Sequence, residues 1–561
     1  SYFSSASGGG YKNCILPLLV FFLFSVCCFF SKYTFWFFLF PIFFLMDAYF
    51  PIGIVFGIPN DGQVASAFNT DPAEAIEFFK AVFGWTIVFP ISGIFAILGA
   101  YCFTFKFKLG WSSNKFLIFV LVTSIAISVG AFKPIHEGYK HTVTALKGIS
   151  ELKKAESIQS KWQIKTAHPT KQIYVLVVGE SARRDYMHAY GYPISNTPFM
   201  ESKGTLIEGA VSADDYTIPS IQKMLTLSKA ANHSKDNANL EYNVIDAANL
   251  AGFETYWFSN QGKINKKDTP ITVIANRARH KQWLKESMDR SEKVSDSQLI
   301  PLLKKAVKSD DSGNSPKLIV LHLMGSHSAV CERLIEQPLL GAVKNQYFQD
   351  PLCYVSSIKQ TDGLLEKIDQ ILTDSGKTYS VVYLSDHGVS HNEIQGKIVM
   401  NHASPASKHR SIPLYKFEDG EANLQKIKAR KFMSNLTEGI LYWLGIDTKQ
   451  VSNPRDLFSG EDQKDERNEL EKLSGRRLDP YIDIRKIKKQ YVRRSYREEV
   501  SARIPRWLKV GRKSWGLFVQ TFSDDKFADR SLGSCLFAHF FLFLGTVLCF
   551  NEFVILPAIA F

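Results

Sequence analysis

Cysteine is scarce where the chain is polar. Of the 8 Cys in 561 residues, Cys14, Cys27, Cys28, Cys102, Cys535 and Cys549 lie in apolar stretches, where a thiol behaves as a small hydrophobe. Only Cys331 and Cys353 remain for the polar part, as one bridge in an oxidising compartment or as two unpaired thiols. Internal repeats are absent. Positive charge spread over the whole chain is absent too. The formal net charge is +13, but residues 485–513 hold 12 Lys/Arg against Glu498 and Glu499, so one run carries most of it. A nucleic-acid-binding surface distributed over the protein is thereby excluded. The N-terminus has neither the basic start nor the clear cleavage site of a signal peptide. Hydrophobic residues at 45% and charged residues at 22% exclude a disordered or collagen-like chain. The length exceeds a single domain of roughly 100–200 residues, so several units are expected.

Aromatic residues are crowded instead. Nine of the 43 Phe fall between residues 21 and 40, too much apolar surface for a purely soluble protein to expose. A helix crosses a bilayer with about 20 apolar residues. Residues 14–30, 34–56, 78–105 and 116–132 meet or approach that length. Lys32 follows the first segment, and Lys106, Lys108 and Lys115 follow the third, so both loops are expected in the cytoplasm. Residues 57–77 lack Lys and Arg and carry Asp61, Asp71, Glu74 and Glu77, so this loop should face outward. Four helices then put both Ser1 and everything after residue 132 outside. Residues 531–561 form a fifth apolar stretch. Either it spans, or it lies on the membrane with residues 485–513 against anionic head groups.

Between residues 170 and 450 the pattern changes. Residues 172–178, 254–258, 317–323 and 379–384 are short apolar runs with polar or Gly borders, the mark of buried parallel strands. Helical patterns separate them, at 220–227, 247–250 and 358–372. Strands alternating with helices predict an α/β sandwich with a mainly parallel sheet. Ligands of such sheets sit beyond the carboxyl ends of the strands. Three predicted strands end in potential metal ligands: Glu180 after the first, His322 to His327 at the third, and Asp386-His387 after the fourth.

A carboxylate and an imidazole side by side at a strand end can both reach one metal ion. His402 follows in a polar loop. Singly, each of these residues has a plain structural explanation. Their recurrence at equivalent strand ends favours a metal site. Thr217, just before the pattern of the helix at 220–227, is a candidate nucleophile. A hydroxyl there meets free backbone N–H groups and the positive end of the helix dipole. The plainer alternative is a helix N-cap.

These segments resemble the bacterial phosphoethanolamine transferases of the alkaline phosphatase/sulfatase superfamily, of the type that modifies lipid A or lipooligosaccharide. Val178-Gly179-Glu180-Ser181-Ala182-Arg183-Arg184-Asp185, Tyr190-Gly191-Tyr192 and Asn196-Thr197-Pro198 carry the likeness. So do Thr217 to Ser220, His322 to His327, Ser385 to Gly388, His402, and the loop Asn69-Thr70-Asp71-Pro72-Ala73-Glu74. The resemblance covers roughly residues 15–450. It departs at Val389-Ser390-His391, where the family often has Glu, and at Ala403, where it usually has Gly. The resemblance implies zinc, one or two ions, with Glu180, Thr217, Asp386 and His387 as ligands. His327 and His402 would serve a second metal or the phosphate. It implies Thr217 as the catalytic nucleophile and a bridge between Cys331 and Cys353. Thr70, Glu74, Asn260, Gln261 and Lys263 are candidate substrate contacts. The family usually has five membrane helices, so the loop match makes those here the second to fifth.

The expected organisation is a membrane domain at 1–135, a linker at 136–170 and a periplasmic catalytic domain at 171–450. A basic extension at 451–530 and the apolar segment 531–561 would follow. The expected reaction moves phosphoethanolamine from phosphatidylethanolamine to lipid A, a lipooligosaccharide core or another envelope glycan. The protein would be a multi-pass inner-membrane monomer with no nucleic-acid partner. A phosphoglycerol transferase using phosphatidylglycerol is the alternative. A sulfatase would need a Cys or Ser in a Cys/Ser-x-Pro-x-Arg context, and no Cys here has it. A serine hydrolase at Ser181 would need a second Gly after it.

Overall fold

The computed structural model describes residues 158–486 apart from 228–239, 262–268, 286–293, 310–314, 335–345, 395–396, 403–405, 453 and 466–467, with a few positions between 36 and 102. Among the described residues no helix is long and apolar enough to cross a membrane. The expectations for the apolar segments (those few positions aside), for Thr70, Glu74 and Lys263, and for the chain beyond residue 486 lie outside the described residues. The chain divides into two compact units, and nearly all described residues belong to the one that takes in Pro134–Ile484.

Twelve strands are described: β1 (Ile164–Ala167), β2 (Ile173–Gly179), β3 (Gly204–Val211), β4 (Glu254–Ser259), β5 (His280–Trp283), β6 (Lys317–His322), β7 (Tyr379–Ser385), β8 (Ser390–Ile394), β9 (Lys397–Asn401), β10 (Leu414–Glu418), β11 (Leu424–Phe432) and β12 (Ile446–Thr448). Eight of them form one sheet in the order β11-β3-β10-β7-β2-β6-β4-β5. Only β10 runs against its neighbours there. The mainly parallel α/β expectation therefore holds for this unit.

The helices are α1 (Pro198–Ser202), α2 (Thr217–Leu225), α3 (Val244–Leu250), α4 (Pro270–Asn276), α5 (Leu299–Lys308), α6 (Gln349–Asp374), α7 (Leu436–Leu444) and α8 (Glu469–Leu473). Strands β2, β6 and β7 are buried along their whole length, because their apolar runs meet cover on both faces. Tyr174, Leu176 and Val178 of β2 share a core with Ile221 and Met224 of α2, Val244 of α3 and Leu441 of α7. Each such aliphatic side chain contributes about 1.5–3 kcal/mol of burial.

Register decides where the chemistry emerges. Val178 of β2 pairs with His322 of β6 and with Leu384 of β7, and Gly179 pairs with Ser385. The three strands thus end level. Glu180, Leu323 and Asp386, the next residues, leave the sheet at one edge.

Candidate active site

The turn after β2 is unusual. Ser181 has φ of +59°, a conformation that L residues rarely adopt. This turns its backbone N–H onto Asp386 Oδ1 at 2.9 Å. Its hydroxyl donates to Glu180 Oε1 at 2.6 Å. Tyr354 of α6 locks the turn: its hydroxyl donates to the Ser181 carbonyl at 2.6 Å and accepts from the Arg183 N–H at 2.8 Å. Close approach from the loop after β6 needs Gly325. Its φ is +48°, and a Cβ there would lie 2.9 Å from the Glu180 carbonyl oxygen.

Glu180, Asp386 and His387 are all buried, and their ligand atoms lie within 4.8 Å of one another. His387 Nδ1 is 2.8 Å from the Gly388 carbonyl, which can only accept, so Nδ1 carries the hydrogen and Nε2 presents a lone pair. That Nε2 lies 3.1 Å from Asp386 Oδ2 and 3.6 Å from Glu180 Oε1. Asp386 Oδ1 accepts from the Ser181 and His387 N–H groups, while Oδ2 is buried without a hydrogen bond. Burial, with the Asp386 charge adding to it, pushes the Glu180 carboxyl up to about 8. Burial pushes Asp386 up to about 6 against its hydrogen bonds. Two buried carboxylates around one imidazole lone pair and an orphaned oxygen fit a small divalent cation that takes mixed N/O ligands.

Thr217 is the first residue of α2, whose N-cap is Tyr216. The plain capping alternative is therefore not what the hydroxyl does. Thr217 Oγ1 lies 3.2 Å from Glu180 Oε2 and 3.1 Å from His387 Nε2. Of the competing hydroxyls, Ser220 donates to the Asp386 carbonyl at 2.7 Å and Ser212 to the Asp214 carbonyl. Ser181 donates to the same Glu180 that contacts Thr217, but lies away from His387 Nε2, which only Thr217 meets among these four. Helix α2 starts three residues earlier than its apolar pattern, which puts Thr217 inside the first turn rather than ahead of it.

His402 stacks edge-on against His387, with ring centroids 4.6 Å apart, and His327 lies 6.1 Å from His402. His327, His402 and Glu180 have ligand atoms close enough for a second cation or for a phosphate against the histidines. His409 also lies beside His387, but both its ring nitrogens are committed: Nε2 to the Asp215 carbonyl at 3.0 Å and Nδ1 to Ser390 at 2.8 Å. It supports the Thr217 loop and is not free to bind metal.

Other sequence candidates fall into place unequally. Gln261 donates to Glu180 Oε2 and to the Leu323 carbonyl, both at 3.0 Å, so it steadies a carboxylate. Asn260 spends its amide nitrogen on the Val294 carbonyl and Asp296. Asp296 in turn accepts from the Met324 and Gly325 N–H groups. Asp215 and His409 carry no motif signal, because their roles rest on contacts far apart in sequence, and Ser181 and Arg183 stand in the Gly179-to-Asp185 motif without a stated role. The Val389-Ser390-His391 departure is built into structure: His391 Nε2 meets Arg183 and the Tyr186 hydroxyl, and Ser390 meets His409. Cys331 and Cys353 form a disulfide, with Cα atoms 4.9 Å apart.

Residues 172–446 match the Sulfatase family model. Phosphoethanolamine transferase OpgE of Escherichia coli K12 is 31% identical over 432 residues, covering 72% of this chain and 79% of that protein. A Haemophilus influenzae protein named as a candidate phosphoethanolamine transferase is 36% identical over 374 residues, 64% of this chain and 75% of that one. Among solved structures, the integral membrane lipooligosaccharide phosphoethanolamine transferase A (EptA) of Neisseria meningitidis shares the fold, with a TM-score of 0.54 at 17% identity over 80% of this chain and 95% of that one. With the strand-end site and these matches together, the chain belongs to the phosphoethanolamine transferase family and carries a Sulfatase-family domain.

Proposed function

We propose that this protein moves phosphoethanolamine from phosphatidylethanolamine to an envelope glycolipid or glycan by way of a covalent adduct on Thr217. The observation that carries the reading is the position of Thr217 Oγ1, within hydrogen-bond distance of both Glu180 and His387, beside an Asp386 Oδ2 that makes no hydrogen bond. Glu180, Thr217, Asp386 and His387 would hold zinc, and His327 and His402 a second ion or the phosphoryl oxygens. A bound zinc supplies charge neutralisation and lowers the pKa of the hydroxyl.

The chain's own groups set the geometry. Glu180 and His387 fix the Thr217 oxygen, and the start of α2 aims backbone N–H groups at an anion beside it. The Thr217 oxygen forms a bond to phosphorus as the bond to the glycerol oxygen breaks, and diacylglycerol leaves with a proton. An acceptor oxygen then bonds to the same phosphorus and the Thr217 oxygen is released. Splitting the transfer lets a lipid donor and a glycan acceptor use one site in turn.

Membrane placement is part of the reading. The apolar segments before residue 135 and the printed description of EptA as an integral membrane protein support it. The Cys331–Cys353 bridge supports a periplasmic catalytic domain. The test is to incubate the full-length protein with phosphatidylethanolamine and no acceptor, and to locate the adduct by tandem mass spectrometry. A phosphoethanolamine mass on Thr217 is expected. An adduct on Ser220 or Ser181, or a phosphoglycerol mass formed only from phosphatidylglycerol, would overturn the assignment.

A further inference from the structure

The segment after α8 lies well beyond the matched family residues, yet it is built into the site. Arg476 grips Asp215, two residues before Thr217, with Nη1 and Nη2 at 2.7 and 2.9 Å from the two carboxylate oxygens. Arg477 accepts from the Ser407 N–H through its carbonyl and donates to the His391 carbonyl. Asp479 is wholly buried against the wholly buried Arg183, three residues after Glu180, at 2.9 Å. Its backbone carbonyl accepts from the same guanidinium at 2.8 Å, and its Oδ1 accepts from the Lys408 N–H. Ile482 donates to the Tyr186 hydroxyl and accepts from that of Tyr192, both at 2.9 Å.

One short stretch therefore touches three loops. It meets the loop before Thr217, the turn that carries Glu180, and the loop of His409, whose Nε2 supports the Asp215 carbonyl. None of these loops is fixed by the sheet alone. A bidentate Arg–carboxylate pair constrains both distance and orientation. We propose that residues 476–484 form a strap that positions Thr217 against Glu180, acting through the Arg476–Asp215 and Asp479–Arg183 pairs. Arg476 and Asp479 are positioning residues, not catalytic ones, and the inference rests on the proposed role of Thr217.

Asp479→Ala would leave one nitrogen of the buried Arg183 guanidinium without its carboxylate, while Asp185 still holds the other side; the less buried pair is the cleaner probe, so the deciding variant is Arg476→Ala in the full-length protein. Arg476 and Asp215 are 18% and 15% exposed, so losing this pair costs the fold less than losing the wholly buried Asp479–Arg183 pair. We expect kcat for phosphoethanolamine transfer to fall about tenfold or more, since small misplacements of a nucleophile are costly. The donor KM should stay within about twofold, because the lipid contacts are untouched. Zinc content should be unchanged. Arg476→Asp with Asp215→Arg should recover part of kcat. Hydrogen exchange should quicken at residues 210–218 and stay unchanged in β6. Unchanged kcat overturns the proposal, whether or not exchange quickens. If wild-type protein transfers no phosphoethanolamine, the parent reading fails, and the exchange result alone then decides whether the strap holds the loop.

Discussion

Glu180 is the residue on which most of the site's energetics turn. Burial and the neighbouring Asp386 raise its folded pKa to about 8, well above its unfolded value. The metal-free folded state therefore binds a proton that the unfolded state has lost, and stability falls as pH rises toward 8. His322, lowered to about 4 by burial, and His391, lowered to about 2 by burial and by Arg183, act in the opposite sense, but below their ordinary value of 6.5. Asp362, raised by burial to about 7, and Asp386, raised by burial to about 6, add to the Glu180 slope. The Glu180→Gln variant therefore separates its share. Chelated protein should melt at lower temperature at pH 8 than at pH 7, and Glu180→Gln should flatten that slope. Zinc competes with the same proton, so its affinity should rise over this range. Competition titrations at both pH values measure it. Asp386→Ala with His387→Ala should lose the metal, and undiminished zinc in that variant would contradict the site. At Thr217, Ser should keep a measurable fraction of the transfer rate. Ala should leave on the order of a thousandth or less, because charge stabilisation survives but no oxygen remains to carry the adduct.

Elements differ in how plainly the sequence announces them. Strands β2, β4, β6 and β7 are buried on both faces, so each reads as an apolar run and is found within a residue or two. Strand β11, Leu-Gln-Lys-Ile-Lys-Ala-Arg-Lys-Phe, is an edge strand whose exposed side carries the charge, and its pattern hides it. Strand β5, His-Lys-Gln-Trp, is polar for the same reason. The residues directly after strand ends, Glu180, Asp386 and His387, were legible because register fixes where they emerge. Gln261, Asp215 and His409 were not legible as supports, since only tertiary contact gives them that role. The helix–loop contacts are equally tertiary. The disulfide ties the short Val330–Arg333 turn to the start of α6 across a separation of 22 residues. Cys331→Ser with Cys353→Ser should cost about 3 kcal/mol by the loop-entropy argument, read as a lower melting temperature. Peptide mapping without reduction should show the pair cross-linked, and two alkylated thiols would contradict it. Gly325→Ala should instead act on activity. Its new methyl meets the Glu180 backbone, so the carboxylate must shift or the loop after β6 must retreat.

At the scale of the whole molecule, the proposed reaction poses the question of how a catalytic unit of this fold would reach a donor held in a membrane. A water-soluble unit with a metal and a hydroxyl is sufficient for attack on a phosphodiester. It is not sufficient for a donor whose acyl chains stay in a bilayer. The segment 57–77, which the proposed topology would place outside, is acidic and lacks Lys and Arg, and an ethanolamine ammonium needs a carboxylate or an aromatic partner. Glu74 has the correct sign. The competing explanation is local: Thr70-Asp71-Pro72-Ala73-Glu74 can start a helix, with Thr70 or Asp71 as cap and Glu74 in the first turn. The two explanations part on substrate. If Glu74 holds the head group of a membrane-embedded donor, Glu74→Gln should raise KM for phosphatidylethanolamine in bilayers several-fold. It should leave turnover of a water-soluble phosphoethanolamine ester unchanged, because that ester reaches Thr217 without the loop. If Glu74 only starts a helix, both substrates should be turned over as by the wild type, with at most a small loss of thermal stability of about 0.5–1 kcal/mol. Equal loss on both substrates would place Glu74 with the catalytic groups and overturn the division of labour between the two parts of the chain.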